Sequence, residues 1–361
     1  MTVQLSLTMI ARDEESTLGR VLAQVSPFCD EMIVVDTGSR DRTRQVAQEA
    51  GARVIDFVWI DDFAAARNVS LNACQGDWVL WMDADDVVAP EVQAAISAAK
   101  REILTDNLDA ITAPYRYFAE ETGECTLSFH RERLVRRVPE LHWVGAVHEA
   151  LAVPGTRILH REDLYIEHHP DSAKQALKSA RNLRIIERAV QAGDRSPRTL
   201  YYYANELRDA GRDANALDVY TAYLQDPGPE WEQYMALISM CECSQRLGHF
   251  KEAIESLHAA VRMNPSRAEA FLRLGWEYFQ QKEWTKALPF YSAAAAATPP
   301  LVGFVSPPDY SWRPWDFIGI CFANLDRHEE SIAAMIRSLN AGNPDKERLQ
   351  SNLHWSVKQL L

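Results

Sequence analysis

The chain has 361 residues, more than one ordinary core accommodates and enough for two domains that each bury their own apolar surface. Its formal charge of -13 excludes a general nucleic-acid or anionic-membrane binder, because the summed field repels phosphates. No apolar run reaches the roughly 18 residues of a membrane span, so any membrane contact is expected to be peripheral.

The charge is uneven. Residues 1–170 carry 28 acidic and 16 basic side chains, against 23 and 22 in 171–361, so the acidic chemistry belongs to the first half. The six cysteines form no Cys-x-x-Cys pair, which favours reduced thiols in a cytoplasmic protein over disulfides or structural zinc. The segment MTVQLSLTMIARDEE has neither the basic start nor the apolar length of a secretion signal.

From residue 3 to about 90, β-rich runs alternate with helical periodicity. VQLSLTMIA, EMIVVD, ARVIDFV and WVLWMD are separated by helices near 16–26, 41–50 and 62–74. That alternation predicts a parallel sheet covered on both faces, with ligands bound beyond the carboxyl ends of its strands. Ala11–Glu14, Asp36–Ser39 and Asp83–Asp86 all fall at such ends. Residues 110–170 read as shorter extended pieces of a mixed-sheet extension. A basic helix over Ser172–Gln191 then leads to AGDRSPR, a boundary near 195.

Beyond that boundary the chain repeats at 34 residues: Ala253, Ala260 and Pro265 fall on Ala287, Ala294 and Pro299. Small residues let paired helices approach, and the proline ends the second helix. Weaker units surround Ala204, Gly211 and Ala216, and Gly319, Phe322 and Ile332. LVGFVSPPDYSW interrupts the register before the last one. The pattern resembles the tetratricopeptide repeat. Trp276, Tyr278, Trp312 and Trp315 are candidates for an exposed aromatic groove or a homo-oligomer interface.

A strand continued through DWVLWMDADDVV points Asp83 and Asp85 to the same side, where they repel unless a divalent cation joins them. Mg²⁺ and Mn²⁺ take oxygen ligands and keep positions open for phosphates. The plain alternative is a solvated acidic turn or a helix N-cap, for which Asp86 is suited. Two further segments accompany it. IVVDTGSRDRT ends a strand at Asp36 and supplies Gly38 for a tight turn, and FAAARNVSL carries Arg67 and Asn68.

With IARDEE, these segments resemble the family 2 glycosyltransferases of the GT-A fold. The resemblance implies an α/β GT-A domain with a Rossmann-like mixed sheet over 1–170, a linking helix over 171–195 and an all-α tetratricopeptide-repeat solenoid over 196–361. It also implies a nucleotide diphosphate sugar lying across the sheet's carboxyl edge, with Mn²⁺ or Mg²⁺. Asp36 would bind the base, uracil, and Ala11, Arg12 and Glu14 would wall the nucleoside. Arg67 would steady the nucleotide, Asp83 and Ala84 would face the ribose or metal shell, and Asp85 would ligate the cation. His168, after the last strand, is a second metal candidate, with packing as its alternative. Asp86, His148, Lys178 and Arg181 are further candidates around the same ligand.

An inverting transfer needs a base, and Glu149 in WVGAVHEAL is the candidate. Many family members carry a Glu-Asp pair there. This chain does not, and a helix-start glutamate beside a stacked His148 stays open. The basic cluster HRERLVRR reads as ordinary salt bridging, and Asp62 as the cap of the Arg67 helix.

The architecture resembles bacterial peptide S-glycosyltransferases, which implies a protein or peptide acceptor met through the repeats, with lipid-linked or polysaccharide acceptors next. A repeat-based binding protein with an inactive nucleotide-binding domain is the rival reading. A nucleotidyltransferase would need a glycine-rich basic loop after the first strand, which MIARDEESTLGR lacks.

Overall fold

The computed structural model describes residues 3–105, 107–119, 122–169 and 172–361. Contacts divide the chain into two units, one of 1–120 and 129–195, the other of 121–128 and 196–361.

In the first unit, β1 (Leu5–Ala11), α1 (Leu18–Val25), β2 (Glu31–Asp36), α2 (Thr43–Glu49), β3 (Arg53–Asp56), α3 (Phe63–Ala73), β4 (Trp78–Trp81) and α4 (Pro90–Thr105) alternate along the chain. Then come β5 (Ala110–Phe118), β6 (Cys125–Arg136), β7 (His142–Val144), β8 (Ala150–Ala152), β9 (Ile158–His160), β10 (Ile166–His168) and α5 (Ser172–Gln191). Among the described residues the main sheet runs β10-β5-β6-β4-β1-β2-β3, with β9 also on β5. β1 pairs in parallel with both β2 and β4, whereas β4 meets β6 antiparallel. β7 and β8 form a separate antiparallel hairpin.

The central strands are apolar on both faces because both faces are covered. Leu5, Leu7 and Met9 of β1 pack with Leu18, Val21 and Leu22 of α1 and Val92 and Ile96 of α4. On the other face Ile33, Val79 and Trp81 pack with Ala64 and Leu71 of α3 and with Trp143. Asp62 caps α3, its Oδ1 accepting from the Ala65 amide at 2.8 Å. Three parallel strands thus deliver the loops after Ala11, Asp36 and Trp81 to one sheet edge. A bridge between Val87 and Glu167 brings the end of β10 beside the last of these loops.

The second unit is built from α6 (Pro197–Asp209), α7 (Asp213–Tyr223), α8 (Glu230–Arg246), α9 (Phe250–Met263), α10 (Ala268–Gln280), α11 (Trp284–Ala296), α12 (Arg313–Asn324), α13 (His328–Asn340) and α14 (Lys346–Leu360). The repeated alanines 253, 260, 287 and 294 are all buried, at the crossings where a larger side chain would hold paired helices apart. The interruption before α12 folds onto the array: buried Arg267 pairs with Glu269 at 2.6 Å and donates to the Phe304 carbonyl at 2.6 Å. Residues 121–128 belong to this unit because Ser128 and Val305 exchange both backbone hydrogen bonds and Trp312 Nε1 donates to Glu124. Of the four aromatic residues suggested as an exposed surface, Trp276 is 42% exposed, and Tyr278, Trp312 and Trp315 are half-buried.

Gly275 of α10 faces the fully buried ring of Tyr291, and a Cβ added there would lie 2.7 Å from the ring. Tyr291 is stacked on Phe317 with centroids 4.7 Å apart, so the ring has little room to retreat. Gly275→Ala is therefore expected to destabilise the helical unit by about 1–3 kcal/mol, read from urea unfolding followed by circular dichroism.

Candidate functional site

The first two loops at the sheet edge are laced to each other by their own side chains. Asp36 is buried, and its carboxylate accepts from the Gly38 and Ser39 amides at 3.2 Å. Gly38 has φ 101°, which a glycine adopts without strain. Opposite, the Asp13 amide donates to Ser39 Oγ at 3.0 Å, the Glu14 amide to Thr43 Oγ1 at 2.7 Å and the Arg40 amide to Asp13 Oδ1 at 2.7 Å. Ala11 is buried at the end of β1. Arg12 projects outward, 3.8 Å from Asp13 Oδ2.

The third loop departs from the strand geometry that the sequence suggests. β4 ends at Trp81, and Asp83–Asp86 form a tight turn, the Asp86 amide donating to the Asp83 carbonyl at 3.2 Å. The strand rule that puts Asp83 and Asp85 on one side does not apply to a turn, and each carboxylate finds different neighbours. Asp83 Oδ1 meets Arg67 at 2.5 Å. Asp86 is fully buried and caps no helix: its carboxylate accepts from Tyr115 Oη at 2.6 Å and from the Asp83 amide at 2.9 Å, with Arg133 at 3.4 Å. Asp85 turns toward β10 and α5, with His168 Nδ1 3.7 Å from Oδ1 and Lys178 Nζ 3.6 Å from Oδ2. Arg20 of α1 donates to the Asp86 carbonyl at 3.2 Å.

Arg67 of α3 joins two distant segments. Its Nε donates to Glu149 Oε1 at 2.5 Å while its Nη2 holds Asp83, and its guanidinium lies 4.8 Å from the Trp143 ring centroid. Burial opposes the charge on Arg67, but Asp83 and Glu149 outweigh it and raise its pKa. Burial likewise opposes the charge on Asp83, and Arg67, then Arg133, overcome it and hold its carboxyl well below the usual range. Asp86 goes the other way: burial, aided by Asp83 and opposed by Arg133, raises its carboxyl.

Glu149 lies in the loop between β7 and β8, not at a helix start. That loop turns through Gly145 at φ 93° and His148 at φ 51°. Asn68 clamps β7, accepting from the Trp143 amide at 2.8 Å and donating to its carbonyl at 3.0 Å. The Phe63 amide donates to Ala146 O at 2.8 Å, so α3 and the Glu149 loop are joined directly.

His168 packs against Tyr117, centroids 4.7 Å apart, and its buried Nδ1 has no hydrogen-bond partner among the described residues. Burial depresses its pKa, keeping a lone pair available for a ligand. One atom each from Asp85, Asp86 and His168 lie within 4.8 Å of one another. Carboxylate oxygen suits both Mn²⁺ and Mg²⁺, whereas an imidazole nitrogen beside it suits Mn²⁺, the softer of the two. Because Asp86 is already engaged by Tyr115, Asp83 and Arg133, Asp85 and His168 are the donors open to a cation.

Three contributors take partners that sequence reasoning does not name. Arg133 is fully buried, its guanidinium 4.0 Å from the Trp81 centroid and 4.3 Å from that of Tyr115, so it cannot meet a phosphate as an outward strand residue would. Alternation alone marks Arg131 and Arg133 as one face without saying that the face is covered. Arg184 and Arg188 of α5 both grip Asp61, at 2.6 and 2.5 Å, while Trp59 Nε1 donates to Asp61 Oδ1 at 2.9 Å. Arg181 lies 4.8 Å from the Phe63 ring centroid. The recurrence of positive charge at 178, 181, 184 and 188 was the available signal, since those spacings share a helix face.

The site combines nested loops at the carboxyl edge of a mixed sheet with an acidic turn at its centre, in a chain that continues as an array of helical hairpins. Residues 6–163 match the model of glycosyl transferase family 2, and residues 245–301 match a tetratricopeptide repeat model. Residues 6–163 thus form a glycosyltransferase family 2 domain on a mixed α/β sheet, and tetratricopeptide repeats lie toward the C-terminal end. It is 29% identical over 308 residues to a TPR repeat-containing protein of Synechococcus elongatus, covering 73% of this chain and 76% of that protein. It is 23% identical over 224 residues to the SPbeta prophage-derived glycosyltransferase SunS of Bacillus subtilis, covering 60% of this chain and about half, 52%, of SunS. Among solved structures, glucosyl-3-phosphoglycerate synthase from Mycobacterium tuberculosis, in complex with Mn²⁺, UDP and glucosyl-3-phosphoglycerate, is 28% identical over 32% of this chain and 44% of that one, with a TM-score of 0.28.

Arg67→Met would leave the mostly buried Glu149 and the more accessible Asp83 without their shared cation. Its expected cost is about 1–3 kcal/mol of stability, measured by urea unfolding. Hydrogen bonding from Arg184, with help from Trp59, lowers the Asp61 carboxyl from 3.8 to about 2. A depressed carboxyl stabilises the fold above its unfolded value and loses that contribution as pH falls through its folded value. Asp61→Asn should therefore melt below wild type at neutral pH, with the gap closing between about pH 4 and pH 2.

Proposed function

We propose that the chain is an inverting glycosyltransferase that moves a sugar from a nucleotide diphosphate sugar, a UDP-sugar, to a protein or peptide acceptor, using Mn²⁺ or Mg²⁺ held by Asp85 and His168. The reading rests chiefly on one observation: the buried, unpartnered His168 Nδ1 faces Asp85 at the end of the Asp83–Asp86 turn. Family 2 membership of residues 6–163 supports the same chemistry.

Asp36 receives the base at the floor formed by the interlaced loops, with Ala11, Arg12 and Glu14 as its wall. Asp83, fixed by Arg67, and Ala84 face the ribose side. A cation held by Asp85 and His168 would supply positive charge to offset what grows on the diphosphate as its bond to the anomeric carbon breaks. Glu149 takes the proton from the acceptor as the acceptor's nucleophile bonds to that carbon from the opposite face, so that the sugar leaves inverted and UDP carries away the bonding electrons. Arg67 engages Glu149 Oε1, and no hydrogen bond occupies Oε2 among the described residues. One oxygen thus orients the carboxylate while the other can receive the proton. His148, turning the chain at φ 51°, sets the direction from which Glu149 enters.

Repeat arrays of this kind present extended surfaces to protein segments, which supports a protein or peptide acceptor. The architecture also resembles the bacterial peptide S-glycosyltransferases. No described helix is long and apolar enough to cross a membrane, and no disulfide is present among the described residues; both fit the cytoplasmic setting proposed for the reaction.

The decisive assay is donor turnover, release of UDP from a panel of UDP-sugars with Mn²⁺ or Mg²⁺, comparing wild type with Asp85→Asn and His168→Ala. Asp85→Asn should lower kcat by about 10²–10³-fold, since it removes a charge that serves the transition state through the cation. Equal turnover by wild type and Asp85→Asn would remove the metal assignment. An absence of turnover and of UDP binding with every donor would remove the enzyme reading.

A further inference from the structure

Four cationic side chains occupy positions 178, 181, 184 and 188 of α5, at intervals of three, three and four residues that place them on one helical face. Three of them are tied down: Arg184 and Arg188 by Asp61 and Arg181 beside Phe63. Lys178 is held differently. Its ammonium lies 3.6 Å from Asp85 Oδ2, beyond direct hydrogen-bond length, with 32% of its side chain and 24% of that of Asp85 exposed. A pair so placed contributes little and exchanges readily. The anchoring of α5 by Arg184 and Arg188 nevertheless keeps the ammonium beside Asp85.

Resting on the metal assignment to Asp85, we propose that Lys178 is an exchangeable counter-ion. It neutralises Asp85 in the absence of metal, gives up that carboxylate when a divalent cation enters, and then binds the diphosphate of the donor that the cation brings. Two positive charges cannot share Asp85 at such distances without mutual repulsion, so the entry of one favours the departure of the other. The displaced ammonium remains on a flexible four-carbon stem within reach of new phosphate oxygens, and a point charge of that kind is suited to them. Lys178 therefore acts in opposite directions on the two ligands, opposing the cation alone and favouring the nucleotide once the cation is bound. No bond is made or broken in this exchange.

The test uses the full chain carrying Lys178→Met, which keeps the aliphatic stem and removes the charge. Mn²⁺ affinity without nucleotide is read from the electron paramagnetic resonance of free Mn²⁺, and UDP affinity at saturating Mn²⁺ from titration calorimetry. Lys178→Met is expected to bind Mn²⁺ about two- to fivefold more tightly than wild type, the size of a lost exposed pair. It should bind UDP at least about tenfold more weakly, the size of a lost charge-assisted hydrogen bond. Lys178→Arg should restore UDP binding to within a few-fold. A variant that binds Mn²⁺ no more tightly than wild type, or UDP equally well, overturns the exchange. Asp85→Asn separates this from the wider reading. If it abolishes Mn²⁺ binding while Lys178→Met changes neither affinity, only the role of Lys178 is lost. If it leaves Mn²⁺ binding intact, the metal assignment and the exchange fall together.

Discussion

Negative charge concentrated at one sheet edge is the constraint around which the first unit is arranged. Four residues of a single turn carry Asp83, Asp85 and Asp86, and β2 ends nearby in buried Asp36. Left alone these groups would repel one another in a medium that amplifies the repulsion. The fold gives each a separate answer: a guanidinium for Asp83, a tyrosine hydroxyl and backbone amide for Asp86, two turn amides for Asp36, and for Asp85 a lysine at 3.6 Å beside an imidazole nitrogen that has no hydrogen-bond partner among the described residues. Asp36, Asp83 and Asp86 are thereby held in place by hydrogen-bonded partners. Asp85, whose charged neighbours stand off at 3.6 and 3.7 Å, is the carboxylate open to a cation.

Arg67 links that solution to the rest of the site. It sits on α3, whose start is fixed by the Asp62 cap, and it spans from the acidic turn to Glu149 on the β7–β8 loop. Trp81 and Trp143 line it with aromatic faces, which accept a cation without asking for hydrogen bonds. Arg133 uses the same device one layer deeper, between Trp81 and Tyr115. Trp81, Tyr115 and Trp143 are thus packing residues that also stabilise buried charge.

The helical unit meets a simpler demand. Its paired helices need close crossings, and alanines at 253, 260, 287 and 294, with glycines at 275 and 319, provide them. The insertion before α12 breaks the sequence register without breaking the array, because Arg267 and Glu269 bind it from the helix side and Tyr310 completes the contact with Glu269 at 2.8 Å.

Whatever depends on local periodicity was legible in the chain before folding: strand–helix alternation over residues 3–90, the edge at which Ala11, Asp36 and the acidic turn emerge, the Asp62 cap, and the 34-residue spacing of small residues. These depend on how often a side chain returns to one face, which the chain states locally. How the three aspartates differ was settled by folding alone, because β4 stops at Trp81 and alternation no longer governs Asp83, Asp85 and Asp86. Folding also settled that Glu149 meets Arg67 across 82 residues and that Arg133 is enclosed. Likewise it brings His168 and Lys178, from β10 and α5, to a single carboxylate. Such meetings join segments distant along the chain, and no local repeat records which partner a charged side chain will find once water is excluded.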